Sequence, residues 1–260
     1  MLMEEMTWEE IRKYFSKKDM VIFPIGSTEQ QGPHLGVGFE SILAGEVANS
    51  LGKEMETLVC PVFPVNFAEQ MIDFPGTLSL PRDVLTDVIY HASRSMVENG
   101  ACRFMFVNVH LGSLPSLETT ARRLRKESGV RCATIDVYSI LKQISSDILS
   151  EEDEPFGHAS VVQTSLALYL CPHLVREEKL ISDFLKPLSK AIYPKGSNMA
   201  NCHEVNVTLY SNTKDGTSTG CGGNSKKADK YLGEILFQRL LSFNKLYLEE
   251  LFNMNMGGEI

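Results

Sequence analysis

Apolar and polar residues alternate along the chain in blocks that predict strands separated by helices. Four short runs are almost wholly apolar, which is typical of parallel strands covered on both faces. Between these runs, apolar residues recur at intervals of three and four, the spacing of one helix face. Strands that alternate with helices predict a three-layer α/β fold. The predicted strands are Met20–Ile25, Thr57–Val62, Arg103–Val109 and about Cys132–Val137.

The helix pattern has one clear start signal and several apolar stripes. Thr7 and Glu10 form a capping box that opens the first helix. Glu204–Tyr210 alternates at period two and predicts a further strand, at a sheet edge. The chain has no internal repeat and no linker, so we expect one domain over residues 1–260. The other predicted helices are Ser41–Leu51, Pro81–Asn99, one after Gly112, Ser139–Ser150, one whose first turn holds His158, and Ser225–Leu251.

Charge and composition exclude some classes of partner. The net charge is −8 at pH 7, which argues against a nucleic-acid partner because phosphate binding needs a basic face. No apolar run approaches the ~20 residues of a membrane span. The first ten residues are acidic where a signal peptide would be basic, so we expect a cytoplasmic protein. The six cysteines are scattered, and we expect Cys60, Cys102 and Cys132 to be small core residues.

Candidate ligating side chains follow two of the predicted strands. Glu29, His34 and Glu40 lie in a glycine-rich loop after Met20–Ile25, and His110 stands at the end of the third strand. Ligands bind beyond the carboxyl ends of parallel strands, so these residues are expected to converge. Two carboxylates and one imidazole suffice for a divalent metal that keeps a position open for water. The alternatives are a solvated loop and a histidine satisfied by a backbone carbonyl.

Four ordered segments resemble the creatininase (creatinine amidohydrolase) family. PIGSTEQQGPHLGVGFE resembles the family signature G-S-x-E-Q-H-G-P-H-L-P-L-x-T-D, and FPGTLSL matches its FPGT segment. NVHLGS and GHASVVQTS stand where the family has N-G-H-G-G-N and H-A-G-x-x-E-T-S. The resemblance covers roughly residues 7–243. It implies an α/β/α sandwich with a mostly parallel central sheet and a homo-oligomer, a hexamer in the family. It also implies hydrolysis of C–N bonds in small cyclic or linear amides, with two zinc or manganese ions.

The resemblance carries over to single residues only in part, and the metal site is degraded. Glu29, Glu40 and His110 match metal-ligand positions, with Glu40 in place of an aspartate. Gln31 and Gln163 replace a histidine and a glutamate of the family. An amide is a weaker ligand than imidazole or carboxylate and cannot act as a general base. We therefore expect at most one divalent metal per chain, zinc or manganese, or none.

Further positions line the expected pocket. Gln70 falls where relatives often carry a histidine, and Glu69 is a candidate proton shuttle. His34 and His158 match family positions and are the other candidate catalytic residues, with a turn or helix-cap role as the alternative. Two functions remain open: a metal-dependent amidohydrolase, or a non-catalytic homologue that binds a small polar ligand or serves as an oligomer subunit.

Overall fold

Four parallel strands form the main sheet of the computed structural model, which describes residues 1–196 and 198–254. The spatial order is β2–β1–β3–β4, so the first and third strands along the chain lie at the centre. Ile25 pairs with Asn108 at the carboxyl ends of these two strands. The loops that follow them therefore begin side by side. The strands are β1 (Met20–Ile25), β2 (Leu58–Val59), β3 (Arg103–Asn108) and β4 (Arg131–Asp136).

Helices cover both faces of this sheet. Met20 and Ile22 point to one face and Val21 and Phe23 to the other, because successive side chains of a strand alternate. α2, α6 and α8 contribute to the first core, and α1, α3 and α4 to the second. The fold is thus the predicted α/β sandwich. The helices are α1 (Trp8–Phe15), α2 (Phe39–Glu54), α3 (Arg82–Glu98), α4 (Leu114–Ser128), α5 (Val137–Ile144), α6 (Val161–Leu170), α7 (Thr213–Gly216) and α8 (Lys230–Asn253).

Two small antiparallel sheets lie outside the main sheet. β5 (Ser182–Asp183) pairs with β9 (Gly223–Asn224). β6 (Ile192–Gly196), β7 (Met199–Cys202) and β8 (Val205–Thr208) form the other. β8 confirms the predicted edge strand, but its sheet is separate from the parallel one.

Several predicted elements match the structure closely. The Thr7 hydroxyl accepts the N–H of Glu10, and the Glu10 carboxylate accepts the N–H of Thr7, which confirms the capping box. β1 has the predicted bounds, and β3 and β4 differ from the prediction by a residue at their ends. The single domain predicted over residues 1–260 stays a prediction, and it includes residues 197 and 255–260, which lie outside the described ranges.

Other predicted elements were wrong in detail. His158 precedes α6 because Ala159 has a positive φ of 53°, which no helix allows. The last helix begins at Lys230, not at Ser225, since the Asp229 carboxylate caps the N–H groups of its first turn. Cys102 is exposed, because it lies in the connection between α3 and β3, just before the strand begins.

Within the described ranges, every helix is too short or too polar to cross a bilayer. The predicted cytoplasmic location stays a prediction.

Close packing of α6 against α8 gives a test of the fold. A methyl group at Gly233 would lie 1.9 Å from the carbonyl oxygen of Ser165, so the two helices can approach only if Gly233 has no side chain. We expect Gly233→Ala to lower the free energy of unfolding by about 2–3 kcal/mol, the cost of overpacking a core. Gly38→Ala is the control, because among the described residues nothing beyond its neighbours in the chain lies within 4 Å of its added methyl group. It should cost less than about 1 kcal/mol. Urea unfolding followed by circular dichroism measures both, and equal stability of Gly233→Ala and wild type would contradict this packing.

Candidate metal centre

The carboxyl ends of β1 and β3 bring the predicted ligands together. Glu29 lies four residues after β1, and His110 lies two residues after β3. Glu40 comes from the first turn of α2, which starts at the end of the glycine-rich loop. All three side chains are buried, with exposed fractions of 1%, 4% and 2%. One ligand atom from each lies within 4.8 Å of the others.

One nitrogen of His110 faces both carboxylates. Its Nδ1 lies 3.0 Å from Oε2 of Glu29 and 3.1 Å from Oε2 of Glu40. Its Nε2 lies 2.8 Å from the carbonyl oxygen of Phe67. A carbonyl can only accept, so Nε2 carries the proton and Nδ1 of the neutral ring presents its lone pair to the carboxylates. This arrangement requires either a second proton or a cation between the three groups.

Gly112 allows the Phe67 carbonyl to reach the ring. A methyl group at this position would lie 2.2 Å from that oxygen and 2.5 Å from Nε2 of His110. The backbone of His110 is held as well: its carbonyl accepts hydrogen bonds from the Asn108 amide at 2.9 Å and the Ser113 hydroxyl at 2.5 Å. The ring position is therefore fixed from two sides.

Electrostatics within the group favour bound positive charge. Burial alone would lower the pKa of His110, but the Glu29 and Glu40 carboxylates outweigh it and raise that pKa well above 6.5. Burial and the charge of Glu29 raise the pKa of Glu40 to about 7. Burial opposes ionisation of Glu29 too, but His110, His158 and the Ser27 hydroxyl lower its pKa. At neutral pH the group thus holds protons that a metal ion could replace.

The donor set fits one divalent cation. Two carboxylates and an imidazole are ligands of zinc and of manganese. The Phe67 carbonyl supplies the outer hydrogen bond that metal-binding histidines usually have. Gln31 is fully enclosed, and its amide lies close enough to Glu40 to lower the pKa of that carboxyl. Neither the oxygen nor the nitrogen of the Gln31 amide has a partner with hydrogen-bond geometry among the described residues. The oxygen is therefore available to a metal ion as an uncharged ligand.

His158 stands on the other side of Glu29 and repeats the pattern of His110. Its Nε2 lies 2.7 Å from the carbonyl oxygen of Gln30, and its Nδ1 lies 4.0 Å from Oε1 of Glu29. The carbonyl again fixes the proton on Nε2 and leaves Nδ1 as the acceptor. Burial lowers the pKa of His158, so the ring is neutral at neutral pH. The positive φ of Ala159, worth about 1–2 kcal/mol of strain, turns the chain at this point.

Gln163 connects Glu40 to a tyrosine. Its Nε2 lies 3.3 Å from Oε1 of Glu40 and 2.9 Å from the hydroxyl of Tyr138, and its Oε1 accepts the N–H of Ala159. Burial and the Glu40 charge raise the pKa of Tyr138 well above 10, so the hydroxyl stays protonated.

His34 lies near Glu29, Glu40 and His110, the candidate metal-binding group, but outside it. Its Nε2 lies 3.0 Å from the hydroxyl of Thr164 on α6, and its Nδ1 has no partner among the described residues. Burial, with a smaller effect of His158, lowers its pKa to about 4. The ring therefore packs as a neutral group.

Glu69 and Gln70 lie on a short 3-10 helix, Glu69–Met71. Glu69 is exposed and Gln70 is half-buried. Within residues 1–196 and 198–254, no hydrogen bond or ion pair joins either side chain to the metal-binding group. The proton-shuttle role of Glu69 stays a prediction.

Comparison with known proteins decides the family. The creatininase family, described as creatinine amidohydrolase, matches residues 4–243. The chain belongs to the creatininase family. It is 26% identical to creatinine amidohydrolase of Pseudomonas putida over 194 residues, which is 68% of this chain and 74% of that protein. It is also 26% identical to mycofactocin precursor peptide peptidase of Mycolicibacterium smegmatis over 189 residues, 69% of each chain.

Solved structures of creatininase-family proteins share the fold. A crystal structure of creatinine amidohydrolase superposes with a TM-score of 0.77 at 20% identity and covers 98% of both chains. A creatinine amidohydrolase homologue from Bacteroides fragilis superposes with a TM-score of 0.73 at 18% identity, over 99% of this chain and 98% of the other. At these identities the likeness shows the fold alone.

Sequence reasoning missed four members of this site. Tyr138, the Ser27 hydroxyl and the carbonyl oxygens of Gln30 and Phe67 each contact a residue at a site position predicted from the family resemblance. Tyr138 carried a usable signal, because it stands just past the carboxyl end of β4, as His110 does for β3. The Phe67 carbonyl carried none, since a backbone atom has no sequence identity.

The buried His34 predicts a dependence of stability on pH. The unfolded chain takes up a proton near pH 6.5 and the folded chain only near pH 4, so stability falls as the pH drops through this window. His34→Gln keeps a group that can bond Thr164 and removes the titration. Between pH 7.5 and pH 5, wild type should lose about 2 kcal/mol more unfolding free energy than this variant. Urea unfolding at both pH values measures the difference, and parallel losses would contradict a neutral buried His34.

Proposed function

We propose that this protein is a one-metal amidohydrolase that cleaves a C–N bond of a small cyclic or linear amide. The observation that carries the proposal is the position of His110, whose lone-pair nitrogen lies 3.0 Å and 3.1 Å from two buried carboxylates. The similar proteins include a creatinine amidohydrolase and a mycofactocin precursor peptide peptidase, as their names state. Similar solved creatininases include a manganese form and a variant of Zn–Zn type.

Glu29, Glu40 and His110 would hold the cation, with the Gln31 oxygen as a neutral fourth donor. When bound, a zinc or manganese ion polarises a carbonyl and lowers the pKa of water. Two positions that carry ionisable residues in the family, Gln31 and Gln163, are neutral here. With only Glu29 and Glu40 to balance two dications, the site favours one ion.

His158 is the candidate acid and base. The Gln30 carbonyl holds the proton on Nε2, so Nδ1 is the atom that accepts a proton on the Glu29 side of the site. Its lowered pKa keeps the ring neutral and ready to accept at neutral pH. The proton comes from the water that adds to the amide carbon, and the same nitrogen then returns it to the leaving nitrogen as the C–N bond breaks. His34 contacts Thr164, and its predicted catalytic role stays a prediction.

Zinc stoichiometry tests the ligand set. Chelator-treated protein titrated with zinc should bind about one ion per chain. His110→Ala should bind none, because the two carboxylates and the amide that remain lack the nitrogen ligand that zinc prefers. His173→Ala is the matched control, since its ring is exposed on a short 3-10 helix. Elemental mass spectrometry after gel filtration gives the content. Retained zinc in His110→Ala would remove the ligand assignment, and no zinc in wild type would favour the non-catalytic alternative.

Proton release tests the state of the group before metal binds. Zinc should displace the proton shared by His110 and Glu40, so its affinity should fall as the pH is lowered from 8 to 6. Calorimetric titration in buffers of different ionisation enthalpy should show about one proton or more released per zinc at pH 7. Release of no proton would mean that the three groups are not coupled as the geometry indicates.

Activity is tested on the zinc-loaded and the manganese-loaded protein. The substrate panel is creatinine, short linear amides and tripeptides, with mass spectrometry to detect the addition of water. Glu29→Gln should reduce any hydrolysis by on the order of 10²-fold or more. Assembly as a homo-hexamer stays a prediction from the family resemblance, which the mass of the particle in solution would test.

A further inference from the structure

A tyrosine hydroxyl beside the metal-binding group has no part in the chemistry described above. Tyr138 lies in the first turn of α5, directly after β4, and is half-buried. Its oxygen is 2.9 Å from Nε2 of Gln163, and the same nitrogen is 3.3 Å from Oε1 of Glu40. One amide nitrogen therefore separates this hydroxyl from a metal-binding carboxylate.

The orientation of Gln163 decides the direction of these hydrogen bonds. Its Oε1 accepts the backbone N–H of Ala159, so Nε2 must be the atom that faces Tyr138 and Glu40. An amide nitrogen has two hydrogens and no free lone pair, so it donates to both oxygens. The Tyr138 oxygen is then an acceptor toward Gln163. Its own hydrogen has no acceptor within the described part of the chain and is free to bond a ligand.

We propose that Tyr138 donates a hydrogen bond to the carbonyl oxygen of the amide substrate, and that Gln163 keeps this hydroxyl a donor. The inference rests on the proposed function, because the substrate oxygen is the one activated at the metal-binding group. A donor fixed at the oxygen that gains negative charge stabilises the transition state more than the ground state.

The neutral amide at position 163 has a distinct consequence in this arrangement. A glutamate there would accept the Tyr138 hydrogen and withdraw it from the substrate. It would also place a third carboxylate against Glu29 and Glu40, inside a buried site. Gln163 is thus a positioning residue that acts through Tyr138, which explains a substitution that otherwise only removes charge.

Binding of acetohydroxamate to the zinc-loaded protein tests the donor without any need for turnover. Tyr138→Phe removes only the hydroxyl, so zinc content should stay unchanged and the dissociation constant of acetohydroxamate should rise about tenfold, as expected for one hydrogen bond to a charged oxygen. Tyr169→Phe is the matched control, because its ring packs against Phe237 away from the site. Calorimetric titration gives the constants.

Gln163→Glu tests whether Gln163 acts through Tyr138 or through Glu40. It should weaken acetohydroxamate binding as much as Tyr138→Phe does, although Tyr138 is still present. In the double variant, compared at saturating zinc, the loss should be no larger than in Tyr138→Phe alone. Additive losses would show that Gln163 acts through Glu40 and would overturn its assigned role.

The remaining outcomes separate this inference from the function on which it rests. If wild type and Tyr138→Phe bind acetohydroxamate equally, the donor role of Tyr138 is wrong and the one-metal hydrolase stands. If zinc-loaded wild type binds no acetohydroxamate, no activated oxygen is available and the donor role falls as well. If wild type binds no zinc, the proposed function is wrong, and the donor role of Tyr138, which depends on it, is wrong too.

Discussion

The hydrogen bond between Nε2 of His110 and the Phe67 carbonyl is the constraint on which the site depends. It fixes the proton on one ring nitrogen and directs the other at Glu29 and Glu40. A lone pair surrounded by two carboxylates is repulsive in a buried site, so the arrangement is stable only with a proton or a cation bound. The absent side chain of Gly112 is part of the same constraint, because any other residue would displace the carbonyl.

A second backbone carbonyl fixes the ring of His158 in the same way. Gln30 holds its Nε2, and Nδ1 is left facing Glu29. The two rings differ in charge because their neighbours differ: His110 has two carboxylates within hydrogen-bond distance, whereas the carboxylate nearest His158 is 4.0 Å away. Burial therefore dominates at His158 and lowers its pKa, and charge dominates at His110 and raises it. The same residue type thus has a raised pKa at one position and a lowered pKa at the other.

The amides around this group give it polarity without charge. Gln163 is held by the N–H of Ala159 and donates to Glu40 and Tyr138, whereas neither amide atom of Gln31 has a partner with hydrogen-bond geometry among the described residues. An enclosed polar group without a partner costs free energy, which is recovered when a ligand reaches it. The fold tolerates this cost because the site rests on β1 and β3, whose side chains pack in two separate cores.

The sequence determined where the four parallel strands and most of the helices lie, the sandwich, and the candidate ligand positions after β1 and β3, because apolar period and strand-end position are local properties. It did not determine where α6 begins or that Tyr138 belongs to the site. The first depends on the positive φ of Ala159, and the second on α5 and α6 packing over the same strand ends. Only the tertiary structure decided which backbone carbonyls face the two histidines. The positions of those carbonyls follow from the path of the whole chain. Every residue type has the same backbone carbonyl, so the sequence gives no signal for them.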